Sequence, residues 1–317
     1  MRAFKDLLLL LAAASAPERG PVVDHHQHLI GPSIAALLSS GERSAPTISA
    51  RQLVALLDSA GIQRAEVLSL AYMYGSPTRM LDSEYAKVRA ENDWTEMQAA
   101  QYPDRLRAFC SFNPLKDYAI GELERCAAKP DLHYGIKLHF GNSDVQLENS
   151  EHLERLRRVF RAANQHRMAI VIHLHANIAR HRPYGATQAR ILLDSLLPLA
   201  PDVPVQIAHL AGSSGYSDPG ADSVMEVLAD AVAANDPRTR RLWFDVTTVA
   251  LPGMTDTVAA LIVRRIRQVG VDRILYGSDA AVPGNLPPRE GWAAFRKVPL
   301  TTAEFDRISA NVAPYMR

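Results

Sequence analysis

From Pro21 onward, short apolar runs alternate with longer amphipathic segments eight times over. That rhythm marks parallel βα units, because a parallel strand needs a long crossover before the chain can re-enter the sheet. The expected strands are 22–28, 65–70, 108–112, 135–139, 169–175, 205–209, 242–247 and 273–277. Several are continuously apolar rather than alternating, as in strands covered on both faces. The expected helices are 50–59, 84–101, 150–164, 188–197, 223–234, 256–269 and 303–312. Ser49 followed by Gln52 reads as a capping box, and Gly61 as the stop of the same helix. Segment 150–164 puts Leu153, Leu156, Val159 and Phe160 on one stripe and arginines on the other. Eight such units in 317 residues fit a single α/β (β/α)8 TIM barrel, with a doubly wound open sheet as the alternative.

No internal repeat or linker divides the chain, so 21–317 reads as one domain. No G-x-G-x-x-G or G-x-x-x-x-G-K-[ST] follows a strand, which removes the usual nucleotide-binding readings. The 35 basic and 34 acidic residues leave a formal charge of +1, so bulk charge recruits no nucleic acid. Residues 1–20 stand apart. Arg2 and Lys5 precede an apolar run over 7–14, then small residues and Pro17. That is the layout of a secretory signal, although Asp6 and Pro17 fit it poorly; the other reading is a helix plugging the barrel bottom. Export through residues 1–16 and a cytoplasmic location both stay open. The run is too short to span a bilayer, so a soluble protein without a membrane partner is expected. Cys110 and Cys126 form neither a disulfide framework nor a zinc-type cluster, and are expected as two buried small hydrophobes.

The chemistry should sit where barrel strands end. The first strand reads Val22-Val23-Asp24-His25-His26-Gln27-His28, so alternation puts Asp24, His26 and His28 on one face. Two imidazoles two residues apart can grip one metal ion. Later strand ends supply His173 and His175, then His209, then Asp279, each directly after an apolar run. Asp24 could orient a ligand ring or be a carboxylate satisfied by the backbone.

This pattern resembles the amidohydrolase-related group of the amidohydrolase superfamily. Its members carry H-x-H after strand one, single histidines after strands five and six, and an aspartate after strand eight. The resemblance runs from Pro21 to the C-terminus, with softer echoes in Tyr102-Pro103-Asp104-Arg105-Leu106 and Gly135-Ile136-Lys137-Leu138-His139. It implies His26, His28 and His173 as metal ligands and Asp279 as a weak ligand and proton shuttle. His209 would bind a second metal, or hydrogen-bond the attacking water and the substrate. Lys137 has three readings: a carboxylated bridge between two metals, a substrate-binding ammonium, or a structural ion pair. His139 is expected behind the ligands. Arg180, His181 and Arg182 would hold a substrate carboxylate or form a solvated loop. Tyr72 and Tyr74 would line the pocket, Asp245 and Thr247 fill its wall, and 212–220 form a mobile lid.

The implied cofactor is one or two divalent ions, zinc first, with manganese, iron or cobalt as alternatives. The expected activity is hydrolysis of an amide, lactone or ester in a small molecule, one that could carry a carboxylate. The alternative is a metal-dependent decarboxylase, and a third reading is a barrel that only binds ligands. After Asp279 the chain runs Ala280-Ala281-Val282-Pro283, without the aromatic-proline pair of related lactonases and decarboxylases, and His209 continues into Leu210-Ala211-Gly212-Ser213 rather than a double glycine. The first departure tilts the expectation towards hydrolysis. A homo-oligomer is left open.

Overall fold

A computed structural model describes residues 20–39 and 44–317. Eight strands follow one another round a single parallel sheet: β1 (Val23–Gln27), β2 (Arg64–Leu68), β3 (Leu106–Ser111), β4 (Gly135–His139), β5 (Ala169–His173), β6 (Val205–Ile207), β7 (Leu242–Asp245) and β8 (Ile274–Leu275). Two backbone bonds bring the ends of the sheet together: the His25 N–H donates to Tyr276 O and the Asp279 N–H to His26 O, each at 2.8 Å. The result is a nearly closed TIM barrel, as the alternation predicts.

The connecting helices are α1 (Pro32–Leu38), α2 (Ala50–Ala60), α3 (Glu84–Ala99), α4 (Ala119–Ala127), α5 (Phe140–Ser143), α6 (Ser150–Gln165), α7 (Ala186–Ile191), α8 (Pro219–Ala233), α9 (Asp256–Val269), α10 (Pro288–Phe295) and α11 (Thr302–Ala310). The Ser49/Gln52 capping box opens α2, and Gly61 at φ 72° ends it. The expected helix 188–197 is broken: α7 passes into a π-type turn over Leu192–Leu196 and a 3-10 turn over Leu197–Leu199. Pro198 has no N–H to continue an α-helical ladder. Helices α1, α4, α5 and α10, of four to nine residues, were not expected.

Strands β6 and β8 stop short of the ends of the apolar runs that encode them. His209, Leu210 and Ala211 take φ of 56°, 45° and 62°, turning the chain out of the sheet immediately after β6. At the opposite end, the C-terminal residues close the barrel. Tyr315 and Met316 pack with Val23, Phe109 and Val171, and the Phe109 and Tyr315 rings meet edge to face at 5.1 Å. A Cβ on Gly135 would lie 2.1 Å from the Phe109 ring, so only glycine leaves that ring its place.

One expectation is corrected. Cys110 of β3 and Cys126 of α4 are not separate thiols but are joined as a disulfide, with Cα atoms 6.2 Å apart. The barrel strand and its covering helix bring them within bridging range, which a separation of 16 in sequence does not reveal. The reading of residues 1–20 falls almost wholly outside the described residues. Among those described, no helix is long and apolar enough to cross a membrane.

Candidate metal centre

The mouth of the barrel is built from side chains that leave β1, β4, β5, β6, β7 and β8 at their C-terminal ends. In β1 the pairing register with β2 shifts between Asp24 and Gln27. Asp24 holds that irregular end in place. Its Oδ1 accepts the backbone N–H of His26 and Ser278, each at 3.1 Å, and its Oδ2 accepts Gln27 Nε2 at 2.8 Å and Ser278 Oγ at 2.6 Å. Burial nevertheless pushes its pKa up to about 6 against these bonds. Asp24 is thus the clasp between β1 and the chain after β8, and of its two readings the carboxylate held by backbone donors is the one seen. His25 faces the other way, bonded to Tyr276 O and the Ala313 N–H.

Three imidazoles at the mouth have their outer nitrogen engaged by the protein. His26 Nδ1 lies 3.1 Å from Asp245 Oδ2, His28 Nδ1 2.6 Å from Leu68 O, and His209 Nδ1 3.0 Å from Thr247 O. Each of those oxygens can only accept, so each Nδ1 carries the proton and each Nε2 keeps its lone pair. Burial, as the largest influence, holds the rings neutral, pulling His28 to about 3, His209 to about 4 and His26 well below its usual range. Neutral imidazoles with fixed tautomers are what a metal requires.

Asp279 completes the group. One ligand atom each from His26, His209 and Asp279 lies within 4.8 Å of the others, and His28 Nε2 is 3.5 Å from Asp279 Oδ1. That Oδ1 is buried without a hydrogen-bond partner. Asn285 Nδ2 holds Oδ2 at 3.0 Å and the Asp279 carbonyl at 2.9 Å. Burial raises the Asp279 pKa to about 8, against the pull of Lys137. An orphaned carboxylate oxygen facing imidazole lone pairs fits a divalent ion, and the His-His-Asp donor set supports one.

Lys137 is fully inside. Its Nζ donates to His26 Nε2 at 3.3 Å, and burial draws its pKa down to about 8 despite Asp245, Asp279 and Glu66. It occupies the space in front of the very lone pair that a metal would use.

His173 does not join this group directly. Its ring stacks on His139 at 3.9 Å, in register across β4 and β5, and lies 5.0 Å from the His209 ring. His139 Nδ1 accepts the Asn142 N–H, which leaves the neutral ring's proton on Nε2 as a donor. Tyr72 extends the row, its ring 4.9 Å from His139. His175 turns away to Asp218 at 2.6 Å. Arg180 and Arg182 both engage Asp144, at 2.8–3.0 Å, rather than standing free. In the 212–220 segment the Gly215 N–H is tied to Thr248 O at 2.9 Å and Tyr216 is buried.

Sequence reasoning gave Asp245 too small a part, placing it in the pocket wall. Both its oxygens are occupied: Oδ2 by His26 and by Gln206 Nε2 at 2.8 Å, Oδ1 by the N–H groups of His209 at 2.8 Å and Thr247 at 3.1 Å. Burial alone would raise its pKa, but His26, His209 and Thr247 outweigh burial and hold it far below the usual carboxylate range. One carboxylate therefore fixes two mouth histidines. Its sequence signal, an acid ending an apolar run, is the one that picked out Asp279. Asn285 and Gln206 carried no signal, lying in a loop and inside a strand.

Backbone strain gathers at the same rim. His209, Thr248 and Asp279 all take left-handed φ, at 56°, 52° and 54°. Such conformations persist where surrounding bonds over-determine them, here Asp245 to the His209 N–H and His26 O to the Asp279 N–H.

Comparison with solved structures finds the same architecture at low identity. A 5-carboxyvanillate decarboxylase from Sphingomonas paucimobilis is 17% identical, with a TM-score of 0.61, over 91% of this chain and 96% of that one. A dihydroxybenzoic acid decarboxylase from Polaromonas, with bound manganese, is 15% identical, with a TM-score of 0.60, over 92% and 95%. A probable 2-pyrone-4,6-dicarboxylic acid hydrolase from Acinetobacter baumannii is 16% identical, with a TM-score of 0.56, over 90% and 95%. No curated protein matches the sequence. A family model described as amidohydrolase matches residues 23–311, from the first residue of β1 to just past α11. With the match spanning the whole barrel and the histidines and aspartate at its mouth, this chain belongs to the amidohydrolase family.

Proposed function

We propose that the chain is a metal-dependent decarboxylase of a small aromatic or dienoic carboxylic acid. Hydrolysis, which the sequence favours, becomes the second reading. The observation that carries the proposal is the burial of the Lys137 amine and the Asp279 carboxyl together at one barrel mouth. Lys137 is 1% and Asp279 8% exposed, and the Asp279 Oδ1 has no partner. Decarboxylation needs a cation to seat the carboxylate, an environment that solvates it poorly, and an acid to protonate the carbon left behind. The similar structures named as decarboxylases add weight at the level of the fold.

His26, His28, His209 and Asp279 would hold the ion, with His173 beside them. When bound, a divalent ion supplies positive charge to the substrate's oxygens. Lys137 draws the carboxylate in and must then turn from His26 Nε2. Asp245 keeps the His26 and His209 rings oriented. As the bond to the carboxyl carbon breaks, its electron pair stays on the ring or chain carbon and carbon dioxide leaves. Asp279, a ligand only while deprotonated, takes up a proton from solvent as the carboxyl carbon departs and delivers it to the ring or chain carbon. The His139 Nε2–H and the Tyr72 hydroxyl lie where they could orient the rest of the substrate. Arg180 and Arg182 would reach it only by releasing Asp144. Manganese and zinc both suit the donors, and elemental analysis of the purified protein separates them.

The test is a shared panel of hydroxybenzoic and dienoic acids together with matched lactones and amides, followed by carbon dioxide release and by ring or amide opening. Release of carbon dioxide that falls about 100- to 10,000-fold in Asp279→Asn is expected, the usual range for a lost general acid. Ring or amide opening without carbon dioxide restores the hydrolase. Absence of both with no bound metal leaves the ligand-binding barrel.

A further inference from the structure

A second cavity lies beside the barrel mouth, between the chain that follows β1 and helix α3. It holds about 570 Å³ and is walled by Leu37, Tyr74, Leu81 and Trp94, with Glu91 and Lys87 as its charged groups. None of the metal-centre residues lines it. The volume is that of a small-molecule site, and the lining has its character: apolar and aromatic walls with a few polar groups. The Trp94 ring is a fixed wall, because it packs onto Gly31 where even a Cβ would come within 3.2 Å.

Glu91 is the unexplained group. It faces inward from α3, is 4% exposed, and its Oε1 is buried with no hydrogen-bond partner. Among the described residues no ion pair reaches its carboxylate. Lys87, one helical turn earlier and well placed to pair with it, gives its ammonium to the Asp82 carbonyl instead. Burial is the sole influence on its pKa, raising it to about 7. A buried acid without a partner is costly and rare, and calls for a ligand or another compensating role. Carboxylate plus indole and phenol faces is the chemistry that recognises organic cations.

We infer that this cavity is a second ligand site, taking a small organic cation: an ammonium or amidinium on an apolar body, its charge on Glu91 and its body against Trp94 and Leu37. The sign of charge is opposite to that sought by Lys137, so the two sites select different molecules. The inference is independent of the reaction proposed above, since it uses none of the same residues.

The probes are benzylamine and its neutral counterpart benzyl alcohol. Their binding to the full chain is followed by calorimetry and tryptophan fluorescence at about pH 8, where the amine is still cationic and a carboxyl like Glu91 largely ionised. Saturable binding of one benzylamine per chain is expected, about tenfold or more tighter than benzyl alcohol. Glu91→Gln, which keeps the side-chain shape, should remove that advantage while leaving benzyl alcohol unchanged. Ala90→Trp, an exposed helix position that lines the cavity, should block both probes without touching Glu91. Equal affinity for the two probes overturns the inference. So does unchanged benzylamine binding in Glu91→Gln, or no saturable benzylamine binding in the wild-type chain.

Discussion

Asp245 shows how much one buried side chain can decide. Its four accepted bonds reach His26, His209, Gln206 and Thr247, so the carboxylate sets both a tautomer and the turn after β6. Asparagine is nearly the same shape but offers one acceptor where two are used. Asp245→Asn should therefore weaken metal retention about 10- to 100-fold, the usual cost of losing a partner behind a ligand. Competition against a chelator measures this, and unchanged retention would place the control of His26 elsewhere. Lys137 poses the complementary case. Its ammonium stands at His26 Nε2, so metal loading must displace it or take its proton. Lys137→Met should hold the ion at least as tightly as the native chain while losing affinity for carboxylate inhibitors, read by inhibition constants. Looser metal binding in that variant would instead mark Lys137 as a ligand, and a bridge between two ions would follow.

At the scale of elements, the clasp between β1 and β8 closes the barrel. Gly277 sits just after β8, where a Cβ would fall 2.2 Å from Thr247 Oγ1 and 2.6 Å from His26 Cβ. Neither neighbour can yield easily: Thr247 is buried just past β7 and His26 belongs to the candidate metal centre. Gly277→Ala should cost about 1–3 kcal/mol in overpacking and disturb metal retention together with thermal stability. A variant with native melting and native metal content would show that the seam is soft. By contrast Ser49→Ala, which breaks the exposed α2 capping box and touches no metal-centre residue, should cost about 0.5–2 kcal/mol and leave activity alone. Caps like this are legible in sequence because they are local, and α2 starts where Ser49 and Gln52 place it. The π-type turn after α7 and the left-handed turn after β6 were not, since packing and long-range bonds impose them.

The whole molecule concentrates buried titratable groups, and this gives the metal-stripped protein a defined pH response. Six histidines, His25, His26, His28, His139, His173 and His209, are held neutral chiefly by burial. The unfolded chain protonates them below its ordinary histidine value near 6.5, so their contribution is present above that pH and falls as the solution is acidified. Four buried acids, Asp24, Glu66, Glu91 and Asp279, have raised values and act oppositely, contributing stability at low pH that is lost as pH rises through their folded-state values. The histidines outnumber the acids. Between about pH 4.5 and 6 the melting temperature of the metal-free chain should therefore climb with pH. A fall over that interval would mean that the acids prevail.

What the sequence determined by itself was everything carried by local or periodic order: the eight βα units, the single barrel domain, and the histidines and aspartate that strand ends must present together. The order of strands sufficed because a parallel barrel brings all its C-terminal ends to one face. The tertiary structure decided which of those groups converge. It put His209 rather than His173 with His26 and Asp279, tied Arg180 and Arg182 to Asp144, and gave Asp245 and Asn285 their positions. It also joined Cys110 to Cys126 and left Glu91, in a cavity, without a partner among the described residues. These are distances between residues far apart in the chain. Spacing along one strand cannot encode them, because they depend on how strands and helices pack around the barrel.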